Sequence, residues 1–335
     1  MNPISQTPEA VAAASADALF YVGRGVAVLQ AVPLRARKPG EALVRTLWSA
    51  PSRGTERLVF EGLVPADEHE RMRAPFQEGE FPFPVKYGYC AVGTVEEGSP
   101  DLVGRSVFCL HPHQTRFVVP ETALAIVPDA VPARRAVLAA NMETALNAVW
   151  DSGIAPGARA MVVGGGVVGL LVCALIGRMP GVEATLIDVD PARAPLAAGL
   201  GCAFSKPLDA PGEMDVVFHA SANPAGLSCA LACAGDEARI VEMSWYGSQP
   251  VPAPLGLAFH SRRLQIISSQ VGRIAPSMRP RWDYARRLAK ALALLDDPRL
   301  DALITHEIAF ADLPAALPDL LAPGAPGLCA AVSYA

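Results

Sequence analysis

The sequence predicts an α/β protein: a compact, largely antiparallel β unit followed by a doubly wound parallel sheet. Three observations predict it. Short alternating apolar runs, punctuated by Gly and Pro, fill the chain up to about residue 132. From there to residue 271, apolar strand-like runs alternate with helical stretches of about 10–15 residues, the pattern of βαβ units. Between two of those runs lies a glycine cluster, GGGVVG at 164–169. At 335 residues the chain is long enough for two domains, on a prior of roughly 150 residues each.

The elements follow in order. Residues 1–16 are Ala-rich, carry Glu9 and lack a basic leading region, so they read as a tail and not as a signal peptide. ALFYVGRGVAVLQAVPL (18–34) alternates as strands do, and EALVRTLW (41–48) follows the turn Lys38-Pro39-Gly40. Further strands are expected in 87–98, 104–110 and 115–122, with a charged helix or loop at 65–73. Residues 133–151 carry helical spacing, with Val137, Leu138, Met142, Ala145, Leu146 and Val149 on one side. Next come a strand at 159–165, helix 167–179, strand 183–190, helix 191–201, strand 215–221, helix 224–234, and strands at 238–243 and 264–271. An amphipathic helix at 281–295 and two strand-like pieces, THEIAF and LCAAVSY, complete the chain. This order predicts a discontinuous first domain with the α/β domain inserted.

Composition narrows the function classes. Lys+Arg total 28 against 33 Asp+Glu, a net charge of −5. The basic residues are scattered, so no nucleic-acid partner is expected. The seven cysteines include no C-x-x-C pair, which points to free thiols in a reducing cytoplasm. Hydrophobic residues reach 51%, and the 18 residues from 160 to 177 carry no charge. That length just meets the threshold of about 18 for a membrane span. Buried parallel strands also read as continuous apolar runs, however, and a span predicts neither the glycine pattern nor the βαβ series around it.

Gly164, Gly166 and Gly169 fit G-x-G-x-x-G between a strand and a helix. The first glycine permits a tight turn, the second lets backbone approach a pyrophosphate, and the third allows close helix–strand packing. Gly165, Val167 and Val168 then offer N–H groups at the helix N-terminus. Asp188 stands 19 residues after Gly169, where a carboxylate would bind ribose hydroxyls. A carboxylate there favours NAD, and nearby Arg193 leaves NADP possible. Ala220 and Ser221, at the end of another sheet strand, are expected in the same crevice, beside His219.

These segments together resemble a medium-chain dehydrogenase/reductase over nearly all of residues 18–335. The resemblance rests on EALVRTLWSAPSRGTE (41–56), PFPVKYGYCAVGTVEEG (82–98), GGGVVG with Asp188, DVVFHASANP (215–224) and ARIVEMSWYG (238–247). It implies a GroES-like catalytic domain at 1–142, a Rossmann domain at 143–272, and a segment, 273–335, that rejoins the first. The active site would lie in the cleft between the domains. It also implies hydride transfer between NAD(P) and an alcohol or carbonyl, and a homodimer paired through the apolar strand LQIISSQV (264–271). SRGTERLVFEG (52–62) with Gly88-Tyr89 is similar to the bacteriochlorophyllide hydroxyethyl dehydrogenase branch.

The chain departs from the zinc-dependent members. Arg53 stands where they carry a Cys, Gly88-Tyr89-Cys90 replaces Gly-His-Glu, and Ala140 takes the third ligand position. The four-Cys lobe is reduced to Cys109. Neither a catalytic nor a structural zinc is therefore expected. Thr55 matches the family's relay hydroxyl, and Tyr89 sits where a ligand His would be. Lys86, Tyr87, Asn141, Glu143 and His113 are further candidates for moving a proton or stabilising charge on a substrate oxygen. His111 and His113 form H-x-H, with Pro112 between them and no third metal ligand in view. Two other readings stay open: a double-bond or quinone reductase, and a catalytically inactive nucleotide-binding protein.

Overall fold

The computed structural model describes residues 15–334. The expected tail, residues 1–16, lies almost wholly outside them. The first part contains strands β1 (Ser15–Gly23), β2 (Val26–Pro33) and β3 (Glu41–Ser49), the short helix α1 (Thr55–Phe60), and strands β4 (Glu78–Gly79), β5 (Val85–Lys86), β6 (Ala91–Glu97), β7 (Ser106–Cys109), β8 (Arg116–Pro120) and β9 (Ala125–Ile126). The stretch expected as one helix at 133–151 divides at Val137-Leu138 into α2 (Ala133–Ala136) and α3 (Ala139–Ser152). A boundary drawn at 142 falls inside α3.

The α/β part runs β10 (Arg159–Val163), α4 (Val167–Ile176), β11 (Glu183–Ile187), α5 (Ala194–Gly199), β12 (Ala203–Ser205), β13 (Met214–His219), α6 (Pro224–Cys233), β14 (Ala234–Glu242) and β15 (Gln265–Ser268). The tail adds α7 (Tyr284–Leu294), β16 (Ile304–Ala309), α8 (Leu313–Leu321) and β17 (Cys329–Ser333). In these two parts, β12 and α8 have no counterpart among the expected elements, as α1, β4, β5 and β9 have none in the first part. β12 is only three residues long, and α8 carries Pro318 inside it, which masks its helical period.

Strands β10–β15 form one parallel sheet in the order β12-β11-β10-β13-β14-β15. This is the Rossmann order, with its switch point between β10 and β13. The apolar run 160–177 is thus most of β10, the glycine turn and α4. Its side chains are buried because the sheet covers one side of the helix and α3 the other. Among the described residues, no helix is long and apolar enough to cross a membrane.

The remaining strands build the GroES-like β part: one sheet in the order β2-β1-β5-β4, and a larger one in the order β16-β17-β3-β6-β7-β9, with β8 on β3. The C-terminal strand β17 pairs antiparallel with β3, so the tail joins the sheet of the first segment. This brings the start of α1, the glycine turn and the loop before β17 to one cleft.

Candidate active site

The glycine turn divides its tasks as its spacing requires. Gly164 has φ +107°, and a Cβ there would lie 2.7 Å from the Ser221 backbone nitrogen, so the turn needs glycine. A Cβ on Gly169 would meet the Gly164 carbonyl oxygen at 2.0 Å, which sets the close packing of α4 on the turn. Gly166 is exposed, and a Cβ there would have no atom within 4 Å, so its backbone is open to a ligand. The Asp188 carboxylate accepts the Gly165 N–H at 2.6 Å and the Asp190 N–H at 2.8 Å. It therefore braces the turn as well as standing at its edge.

A cleft of about 370 Å³ opens in front of this turn. Gly165, Gly166, Val167, Val168, Asp188, Arg193, Ala220 and Ser221, all named from the sequence, line it. Ser52, Arg53, Gly54 and Arg57 face them from the β part, with Asn141 from α3 and residues 321–325 and 327–329 from the tail. Arg53 donates to the carbonyls of Leu320, Ala325 and Gly327, and Arg193 also reaches Gly327. Burial lowers the Arg53 guanidinium's proton affinity, and the neighbouring Arg193 charge lowers it further. Arg53, noted in the sequence only as a missing Cys, thus ties the tail loop to the cleft. Arg53, Arg57 and Arg193 give the cleft a positive wall suited to an anion.

Thr55 and Tyr89 lie near each other. The Tyr89 phenol is pushed up chiefly by burial, then by Cys90 and Glu56, while the neighbouring Ser52 and Thr55 hydroxyls oppose the rise. The Ser52 and Thr55 hydroxyls thus lie near the Tyr89 phenol, and of the three Ser52 lines the cleft. Glu56, absent from the sequence-based candidates, lies directly behind it with no exposed surface. Its carboxylate accepts from the Ser52 N–H at 2.7 Å and the Tyr21 hydroxyl at 2.7 Å, and lies 3.0 Å from His113 Nε2. His113 Nδ1 is 2.7 Å from the Ser49 hydroxyl, which is 2.9 Å from that of Tyr334. The signal for Glu56 was present in the sequence: it ends the R-G-T-E stretch that carries Thr55.

Three of the candidates lie apart from the cleft lining. His113 is fully buried with both ring nitrogens engaged, so it supports Glu56 and does not face the cleft. Lys86 is 2% exposed, and its ammonium donates to Glu78 at 2.6 Å and Gln114 at 2.7 Å, away from the cleft lining. Glu143 points to the tail: it accepts from buried Arg287 at 3.0 Å, and Arg287 also donates to Asn147 at 2.6 Å. Burial raises the Glu143 carboxyl, and the Arg287 charge opposes that rise. These three polar groups are buried because they are paired, the usual condition for burying charge. His111 stacks on Phe117 with centroids 3.9 Å apart, so H-x-H joins no common site.

No family model matches the chain. Solved structures do match nearly end to end. L-idonate 5-dehydrogenase from Escherichia coli superposes with a TM-score of 0.79 at 14% identity, covering 96% of this chain and 99% of that one. 2R,3R-butanediol dehydrogenase from Bacillus subtilis gives 0.75 at 18%, covering 95% and 99%. An alcohol dehydrogenase from E. coli CFT073, complexed with NADH, gives 0.76 at 16%, covering 96% and 99%. The fold is that of these dehydrogenases. At such identities the likeness speaks for the GroES-like and Rossmann architecture.

Proposed function

We propose that the chain is an NAD-dependent oxidoreductase that interconverts an alcohol and a carbonyl without zinc. The observation that carries this reading is the glycine turn: Gly166 open to the cleft, Asp188 at its edge and the α4 N-terminus behind it. These residues fit a dinucleotide, with the arginine wall beside its pyrophosphate. When bound, the nicotinamide supplies or takes up the hydride.

The chain's own residues then handle the oxygen and its proton. Ser52 on the cleft lining, with Thr55 and Tyr89 close to it, would hydrogen-bond the substrate oxygen, and Glu56 accepts the Ser52 N–H and so fixes the loop that carries Ser52 and Thr55. Zinc independence rests on the donor set. Arg53, Tyr89 and Ala140 occupy the ligand positions, and the described residues include no group of three or more His, Cys, Asp or Glu that could hold a metal. The likeness of 52–62 to the bacteriochlorophyllide branch supports a secondary hydroxyethyl alcohol as substrate. A homodimer joined along β15 belongs to the same reading.

Turnover assays test it with simple secondary alcohols and hydroxyethyl-bearing chlorophyllides. Thr55→Ala and Tyr89→Phe are each expected to lower kcat by about 10²-fold or more, with NADH affinity nearly unchanged. Unchanged turnover in both variants rejects a role for these hydroxyls. Absence of turnover with every alcohol and carbonyl favours a nucleotide-binding protein.

A further inference from the structure

Ser221 lines the cleft, and behind it stands a buried chain that hydride transfer does not require. His219 closes β13 with no exposed surface. Its Nε2 is 2.7 Å from the Ser221 hydroxyl, and its Nδ1 is 2.7 Å from the Glu242 carboxylate at the end of β14. Burial pushes the Glu242 carboxyl up, but His219 and Ser244 outweigh it and hold it below the ordinary range. Glu242 Oε1 also accepts the Ser244 N–H at 2.8 Å, and the Tyr246 hydroxyl lies 3.4 Å from Oε2. The group is tightly fitted: a Cβ on Gly226 of α6 would lie 2.2 Å from the Ser221 oxygen and 2.8 Å from His219 Nε2.

For a neutral His219 imidazole the direction of each hydrogen bond follows from chemistry. A carboxylate only accepts, so Nδ1 carries the hydrogen of a neutral imidazole. Nε2 is then bare and accepts the Ser221 hydrogen. The Asn223 N–H, 3.3 Å away, takes one lone pair of the Ser221 oxygen. What remains for the cleft is a lone pair and no hydrogen. Ser221 and Asp188 line the same cleft on either side of the glycine turn, Ser221 beside Gly164 and Asp188 bonded to the Gly165 N–H.

We propose that Ser221, oriented by His219 and Glu242, is a specificity-determining residue that faces the cofactor as an acceptor only. It selects a free ribose hydroxyl, which donates, over a ribose 2′-phosphate, which offers only acceptors. This rests on the reading that the cleft binds a nicotinamide dinucleotide. His219 and Glu242 are positioning residues, and Ser221 makes the contact.

Fluorescence titration with NADH and with NADPH, at mildly alkaline pH, tests the inference on the intact chain. Wild type is expected to prefer NADH. Ser221→Ala removes the acceptor, so NADH binding weakens by about fivefold, and NADPH binding weakens less. His219→Phe frees the Ser221 hydrogen to point into the cleft, so the NADH preference falls by about fivefold or more, with NADPH affinity gaining. A purely structural role would move both affinities alike, and equal shifts or none in Ser221→Ala overturn the inference even if His219→Phe fails to fold. Wild type that binds neither cofactor overturns the cofactor reading and this inference with it.

Discussion

Single atoms decide most of the cleft. Gly166 and Gly169 make opposite demands, and the contrast is testable. Gly169→Ala would set a methyl against a carbonyl oxygen at 2.0 Å, so both the melting temperature and NADH binding are expected to fall. Gly166→Ala meets open space, so its melting temperature should hold while NADH binding weakens by about tenfold or more, the methyl standing where a phosphate approaches. Equal melting losses in both variants would contradict the division of roles. A second residue effect concerns acid. Burial pushes the His111 imidazole down to about 3 from its ordinary 6.5, against a hydrogen bond to the Pro112 carbonyl that raises it. Between those values the unfolded chain binds a proton that the folded chain refuses, so stability is lost as pH falls through that window. Denaturant midpoints should therefore drop less between neutral and acidic pH in His111→Phe than in wild type. An equal drop in both would assign the acid sensitivity to other groups. Residues whose role rests on chain-local geometry, such as the three glycines and Asp188, were legible in the sequence. Glu56, Glu242 and the burial of Lys86 and His113 were not, because their partners lie far away in sequence and only the folded sheets bring them together.

Elements were legible in proportion to their length and period. The parallel sheet showed itself because β10, β11, β13 and the end of β14 carry short apolar cores that alternate with helices. The small β12 and the proline-bearing α8 did not, since neither completes a recognisable period. The break between α2 and α3 is also invisible to spacing, because both pieces keep apolar side chains toward one core. The edge strand β15 carries the proposed dimer contact. It ends the sheet with Ile266 36% exposed, and an apolar edge of this kind needs covering. Sedimentation of wild type is expected to give a dimer, and Ile266→Lys a monomer. A monomeric wild type would exclude pairing along β15.

In the molecule as a whole, two β-rich layers and a Rossmann sheet meet where the glycine turn faces Ser52–Arg57, with the tail loop held by Arg53 between them. This convergence is where the proposed metal-free chemistry would take place. The positions where the resembled zinc-dependent dehydrogenases carry ligands hold here an arginine tied to the tail, a tyrosine beside Ser52 and Thr55, and an alanine in a packed helix. Those losses are visible in the sequence, but what replaced them is not, since the replacements act through long-range contacts. The proposed chemistry turns on this cleft binding a nicotinamide cofactor with no metal present. NADH titration of the chain after exhaustive chelation, followed by fluorescence with metal content measured on the same sample, decides the matter. Saturable NADH binding that chelation leaves unchanged, and that Gly166→Ala weakens, is expected. Absence of binding to either nicotinamide dinucleotide, or binding that returns only with added zinc, would contradict a metal-free dehydrogenase site.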